Sequence, residues 1–301
     1  MNLSKLLLLF QLVLGLLLSS AAADSLNDIR ELSSPQLEGR KTGTESAERA
    51  RRYIVNRFKQ IGLASINDDF QHYFTYGAHD KGGVNLIAFR EGCRYPAQYI
   101  VITAHYDHLG KQGRKIYHGA DDNASGVAAM LNIAEHLQAN CPSYSFIFAA
   151  TDAEESGLYG SKAFIQYPPV AKERIILNLN LDMISRADRR GRLYLTGARK
   201  FPELTALLAE RFPKIQFLSH NGPSRVGRNA SRHDWPNASD HGPFYRAEIP
   251  YLFFGGQDHP QYHTEDDQWQ RIEPEFLQMA LSAILTTVEW VDNQTPEQLK
   301  K

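Results

Sequence analysis

Four apolar runs constrain this chain more than any other feature: Tyr99 to Ala104, Ser145 to Thr151, Ile175 to Met183 and Ile249 to Phe254. Each is too short for a typical globular helix and too uniformly apolar for a strand with one wet face, so each reads as a strand buried on both sides. Helical periodicity alternates with them. A helix over residues 42 to 62 is expected from Thr42 and Glu45 as a capping box, from apolar residues at 47, 50, 54, 58 and 61, and from Gly62 as a stop. Further helices are expected at about 124 to 140 and from Pro274 to Val291, with strands also at Phe70 to Tyr76 and Val84 to Phe89. Strand, helix and strand in alternation predict a three-layer α/β domain around a largely parallel sheet. No linker divides it, and the polar residues after about 292 are expected to form a disordered tail.

The amino terminus reads differently. Lys5 precedes 13 residues, Leu6 to Leu18, that are apolar apart from Gln11 and Gly15, and Ala21-Ala22-Ala23 offers a small-residue cleavage pattern before Asp24. A membrane-spanning helix needs about 20 apolar residues, so 1–23 are expected to be a signal peptide. The domain is then 24–301, exported to the periplasm or the medium, with no stable membrane anchor after cleavage. In an oxidising compartment the two cysteines, Cys93 and Cys141, are candidates for one disulfide, because each precedes an apolar run and both then lie at one edge of the sheet. Separate thiols remain the alternative. With 33 basic against 34 acidic residues, the chain lacks the positive field that nucleic acid binding requires.

In open α/β sheets ligands bind beyond the carboxyl ends of the strands, and acids and imidazoles gather there. His105 and Asp107 follow the first run. Asp152, Glu154 and Glu155 follow the second. Asp182 ends the third, and Asp258, His259, His263, Asp266 and Asp267 follow the fourth, while GADDNASG sets Asp121 and Asp122 in a turn before a helix. Any one of these alone reads as a buried structural acid, a satisfied core histidine or a solvated pair. Jointly, like charges on one face cost several kcal/mol unless a cation neutralises them. Imidazole with carboxylate and no thiolate suits Zn²⁺ or a related divalent ion, and two nearby ions could share one bridging carboxylate.

The order AHYDHLG, GADDNASG, DAEESGLYGS, NLDM, SDHGPF and YHTEDD, with LEGRKTGTESAERARRYIVNRFKQIGL upstream, resembles the zinc aminopeptidases of metallopeptidase family twenty-eight, the bacterial leucyl aminopeptidase or aminopeptidase Y type. The resemblance covers about Leu37 to Asp267. It implies an α/β/α sandwich around a mixed, largely parallel sheet, two Zn²⁺ ions per chain, and release of N-terminal residues from peptide substrates with a free N-terminus. Residue by residue it implies Asp122 as the bridging ligand, His105 and Asp182 at one zinc, and Glu155 and His263 at the other. It further implies Asp107 as the acceptor of a hydrogen bond from His105, Glu154 as general base, a cis Asp122–Asn123 peptide, and Tyr262 and Asp240 near the substrate or oxyanion. The remaining histidines, His108, His241 and His259 among them, are expected on the surface or behind the ligands. Two rivals share the framework: a one-zinc glutaminyl cyclase, and a non-catalytic binding ectodomain.

Overall fold

A computed structural model describes residues 24–66, 69–219, 221–222 and 233–300. The expected signal peptide and most of the polar loop between Ser219 and Asp240 lie outside these residues. Nine strands form the central sheet: β1 Ala64–Ser65, β2 Gln71–Tyr76, β3 Lys81–Arg90, β4 Tyr95–His105, β5 Tyr144–Thr151, β6 Ile175–Asp182, β7 Leu193–Thr196, β8 Ile215–Leu218 and β9 Tyr251–Gly255. Their order is β1-β3-β5-β4-β6-β9-β7-β8, with β2 also on β3. The four middle strands β5, β4, β6 and β9 are mutually parallel, whereas β3 joins β5, and β7 joins β9, antiparallel. The four apolar runs are these four middle strands, which is why they lack alternation: both faces are covered.

The pleat sorts their side chains between two layers. Ile100, Ile102, Phe146 and Phe148 face the helices Glu45–Ile61, Gly126–Gln138 and Pro274–Asp292, packing with Ile54, Phe58, Met130 and Ile284. Val101, Ile147 and Ala149 point the other way, onto Phe164 and Phe244 of the short helices Tyr159–Gln166 and His241–Arg246. The architecture is therefore the three-layer sandwich. Among the described residues no helix is long and apolar enough to cross a membrane.

Three local expectations are corrected. The first long helix starts at Glu45, with Thr44 as its N-cap accepting from the Ala47 N–H; Thr42 is drawn away by a stronger acceptor, donating to Asp152 at 2.7 Å. The chain after 292 is ordered, because Thr295 and Gln298 make a capping box on the helix Pro296–Leu299 and Leu299 is buried. The strands β7 and β8 and the helix Pro202–Arg211 were not anticipated, their periods being too short or too weak to read.

Cys93 and Cys141 are joined in a disulfide with Cα atoms 5.9 Å apart, closing a loop of 48 residues. Entropy lost from the unfolded chain by such a closure is worth about 2–4 kcal/mol. The double variant Cys93→Ser, Cys141→Ser should lose that much in urea denaturation, and reductant should then leave it unchanged while destabilising the wild type.

His241 provides a pH-dependent contribution. Its Nε2–H donates to the Trp235 carbonyl at 2.6 Å, and its ring lies against Phe253 with centroids 4.2 Å apart. Burial, reinforced by Arg246 and opposed by the Trp235 carbonyl, pulls its pKa down to about 3. An unfolded histidine titrates at about 6.5, so the unfolded state binds the extra proton across this window. The stabilisation is complete above about 6.5 and is lost as pH falls towards 3. Replacing His241 with Gln should shrink the stability lost between pH 7 and pH 5 by roughly 2 kcal/mol, read from urea midpoints at the two pH values.

Candidate metal centre

The parallel strands deliver their carboxyl ends to one place. β4 ends in His105, paired in register with Thr151 at the end of β5, and β6 ends in Asp182, paired with Gly255 of β9. Left-handed residues then turn the chain into the site: Ala153 at φ 55°, Met183 at φ 58° and His263 at φ 56°. Non-glycine residues seldom adopt this conformation, and its concentration at three chain ends around one cluster marks a place where geometry has been kept against local preference. The turn before the helix Gly126–Gln138 carries Asp121 and Asp122, and the Asp122–Asn123 peptide is cis. Asn123 ties this turn to the end of β6: its side chain donates to the Leu181 carbonyl at 2.9 Å and accepts from the Met183 N–H at 3.2 Å.

Asp122 sits in the middle with its two oxygens facing different partners. Oδ1 lies 3.3 Å from His105 Nε2, which is itself 3.4 Å from Asp182 Oδ1. Oδ2 lies 3.1 Å from His263 Nε2, which is 3.2 Å from Glu155 Oε2. All five expected ligands are thus brought together. Asp122 Oδ2, Asp182 Oδ1, Glu155 Oε1 and His263 Nε2 are buried atoms without a hydrogen-bond partner among the described residues. A buried polar atom left unpaired costs about 1–3 kcal/mol, so several converging on one space fit a set of donors for divalent cations.

The electrostatics agree. Burial opposes the cationic form of both imidazoles, but surrounding carboxylates outweigh it: His263 is pushed up to about 10 by Asp122 and Glu155, and His105 is raised well above its ordinary range by Glu154 and Asp182. A cavity that attracts protons this strongly attracts a metal cation by the same field. Burial raises Glu154 well above the ordinary carboxyl range; His105 opposes this, and Asp182, Asp240 and Glu155 add to it. The fixed positive charge is Arg40. Fully buried, it donates to the carbonyls of Tyr106, Leu32, His118 and Gly119 at 2.6–3.0 Å. Burial lowers it to about 10 while Asp122, Asp267, Asp107 and Glu155 hold it charged.

Several expectations for individual residues change. Asp107 does not accept from His105 through its carboxylate, which is 3.8 Å away. The main-chain carbonyl of Asp107 takes that place at 3.1 Å, so His105 carries its proton on Nδ1 and turns Nε2 towards Asp122 and Asp182. The Asp107 carboxylate instead accepts the Glu154 N–H at 3.1 Å and thereby anchors the backbone of the expected base. Asp240 is wholly buried and accepts from the Thr151 hydroxyl, so it presents no exposed surface to a ligand; burial raises its carboxyl pKa, opposed by the nearby His105. Tyr262 is half-buried, its ring stacked on His263 with centroids 3.8 Å apart. His108, expected on the surface or behind the ligands, is buried among them, with Nδ1 2.7 Å from Glu155 Oε1. Its place directly after HYD was the available signal.

Two supporting residues were not singled out for this role by sequence. Asp267 accepts the N–H groups of Asp121 and Asp122, both at 3.1 Å, and so aims the central ligand. Asp121 accepts from the Ser185 N–H at 2.9 Å and faces His259 Nε2 at 3.3 Å.

Comparison with known proteins gives a consistent picture. Residues 85–288 match the model of peptidase family M28. The chain is 32% identical over 182 residues to the alkaline phosphatase isozyme conversion protein of Escherichia coli, covering 55% of this chain and 51% of that one. It is 28% identical over 265 residues to aminopeptidase YwaD of Bacillus subtilis, covering 85% and 53%. The chain therefore spans about half the length of these curated relatives. Among solved structures, a zinc aminopeptidase from Bacillus subtilis superposes with a TM-score of 0.70 at 17% identity, covering 91% of this chain and 97% of that one. The glutaminyl cyclase of Porphyromonas gingivalis superposes with a TM-score of 0.69 at 19% identity, covering 90% and 98%.

Asp267 generates a test of this geometry. Asp267→Ala frees two N–H groups behind the central ligand and should weaken zinc binding about 10–100-fold, measured by competition with a chromophoric chelator. Unchanged affinity in a folded variant would show that the clamp does not aim Asp122.

Proposed function

The chain belongs to peptidase family M28, and on that premise we propose that it is an exported aminopeptidase, periplasmic or secreted, that uses two zinc ions to remove N-terminal residues from peptides with a free amine. The observation that carries the two-ion reading is Asp122, whose oxygens face separate donor sets, His105 with Asp182 and Glu155 with His263. When bound, a pair of zinc ions supplies the positive charge that acidifies water and polarises a scissile carbonyl.

The protein's own groups do the rest. Glu154, held by the Asp107 carboxylate at its N–H, takes the proton of the attacking water as the carbon–oxygen bond forms. It returns that proton to the amine nitrogen as the carbon–nitrogen bond breaks. Tyr262, beside His263 at the half-exposed side of the site, is positioned to meet the substrate carbonyl or its developing oxyanion. Export is supported by the leader pattern of 1–23 and by the disulfide, which persists in oxidising compartments.

The glutaminyl cyclase reading keeps weight because of the structural likeness, and the same assay decides between the two. Glu154→Gln should lower kcat/KM for release of an N-terminal residue by about 10²–10⁴ while zinc content stays at the wild-type value. Chelation should abolish activity and zinc should restore it. Retained activity in the variant would remove Glu154 from the mechanism, and conversion of N-terminal glutamine to a cyclic product without release of an amino acid would establish the cyclase.

A further inference from the structure

The two halves of the site are not equivalent. His105 and Asp182 are the private donors of one half, and Asp122 is shared. The other half has Glu155, His263 and one more side chain, His108, whose ring is fully buried. Its Nδ1 is 2.7 Å from Glu155 Oε1 and 3.7 Å from Asp122 Oδ2. The ring stands edge-on to His263, with centroids 5.7 Å apart.

Neither nitrogen of His108 has a hydrogen-bond partner among the described residues, and neither does Glu155 Oε1, close as it is. Nδ1 and Oε1 are near each other without being aimed at each other, as two donors directed at a common third point are. A tetrahedral zinc with bonds of about 2.0–2.1 Å keeps its donor atoms about 3.3 Å apart. His108 Nδ1 lies 2.7 Å from Glu155 Oε1 and 3.7 Å from Asp122 Oδ2, and His263 Nε2 lies 3.1 Å from Asp122 Oδ2 and 3.2 Å from Glu155 Oε2, distances around that value in which Glu155 offers one oxygen to each imidazole; His108, Asp122 and Glu155 each place one ligand atom within 4.8 Å of the others. Gly119 makes room for the ring: at φ 60° it lacks the Cβ that would stand 2.6 Å from His108 Cγ.

We propose that His108 is a fourth protein ligand in the Glu155 and His263 half of the site, closing the shell of that ion. Zinc sites with four protein donors hold the metal, and catalytic sites with three keep a position open for water or substrate. The ion held by Glu155, His263, His108 and Asp122 is then the tightly held one, and the ion held by His105, Asp182 and Asp122 is the exchangeable one that meets the substrate. The proposal rests on the two-ion reading above. It also explains the motif AHYDHLG: two histidines three positions apart at one strand end serve different ions.

The test is a titration of the chelator-stripped full chain with Zn²⁺ against a chromophoric chelator, repeated with Co²⁺ to read visible absorption. The wild type should load in two steps, one tight and one weak. His108→Leu should weaken the tight step by at least about tenfold and alter the cobalt spectrum of that step, leaving the weak step in place. Glu155→Ala should do the same, and Asp182→Ala should remove the weak step alone. His108→Asn, whose amide lies near the position of Nδ1, should recover part of the affinity and serves as the variant of record should the leucine fail to fold. A tight step unmoved by both His108 substitutions overturns the proposal. A single step in the wild type overturns the two-ion reading instead, and the same two substitutions then decide whether His108 binds that one ion.

Discussion

Carboxylates converge at the carboxyl ends of four parallel strands, and the rest of the molecule is arranged around that concentration of charge. Asp107, Asp122, Asp152, Asp240 and Asp267 are all buried, with Glu154, Glu155 and Asp182 beside them. Taking such groups out of water costs several kcal/mol each unless donors or cations replace the solvent. The polypeptide supplies part of the replacement. Arg40 lies beneath the cluster with its guanidinium spread over four carbonyls and, among the described residues, no carboxylate in direct contact, so its charge is not consumed by one partner. Backbone N–H groups of Asp121, Asp122, Glu154, Val84 and Ala153 satisfy the acids that point away from the centre. Among the described residues, Asp122 Oδ2, Asp182 Oδ1 and Glu155 Oε1 point into the centre without a hydrogen-bond partner, and one oxygen each of Asp121 and Asp240 is left in the same state.

The supports explain why the ligands need so little freedom. His105 is oriented by a carbonyl two residues along its own chain, Asp122 by Asp267 at two successive N–H groups, and the turn carrying it by Asn123 bonded to β6. His105 and Asp182 therefore come from strand ends, and Asp122 from a turn locked to one. Such pre-organisation matters for a site that stabilises charge, because donors that must reorganise during a reaction contribute less to its rate.

The cluster was legible in the sequence because metal chemistry restricts residue type, and because apolar runs located the strand ends at or after which His105, Glu155, Asp182 and His263 fall, while GADDNASG marked the turn that carries Asp122. What was illegible depends on contacts between distant segments. Thr42 looked like a helix cap, but the buried Asp152, 110 residues away, competes for its hydroxyl and wins. Asp107 was expected to orient His105 through its carboxylate, and nothing in HYD reveals that its carbonyl reaches the ring first. His108 carried only the signal of its place after HYD, and Arg40 sits in a segment with no strand at all. The strands Leu193–Thr196 and Ile215–Leu218 are four residues each, too short for alternation to rise above composition.

The disulfide belongs to the same design from the other side. Cys93 precedes β4 and Cys141 precedes β5, so the bond joins the entry ends of the two strands whose exits carry His105 and the Asp152 to Glu155 turn. Past a register shift between Tyr95 and Tyr99, a continuous ladder runs from Tyr99 opposite Ser145 to His105 opposite Thr151. A one-residue slip of β5 against β4 would reverse which face each side chain meets, sending Phe146 and Phe148 to the opposite helical layer and displacing Glu154 and Glu155 relative to His105. A covalent link at the entry ends therefore favours the geometry at the exits while adding no bulk at the candidate site.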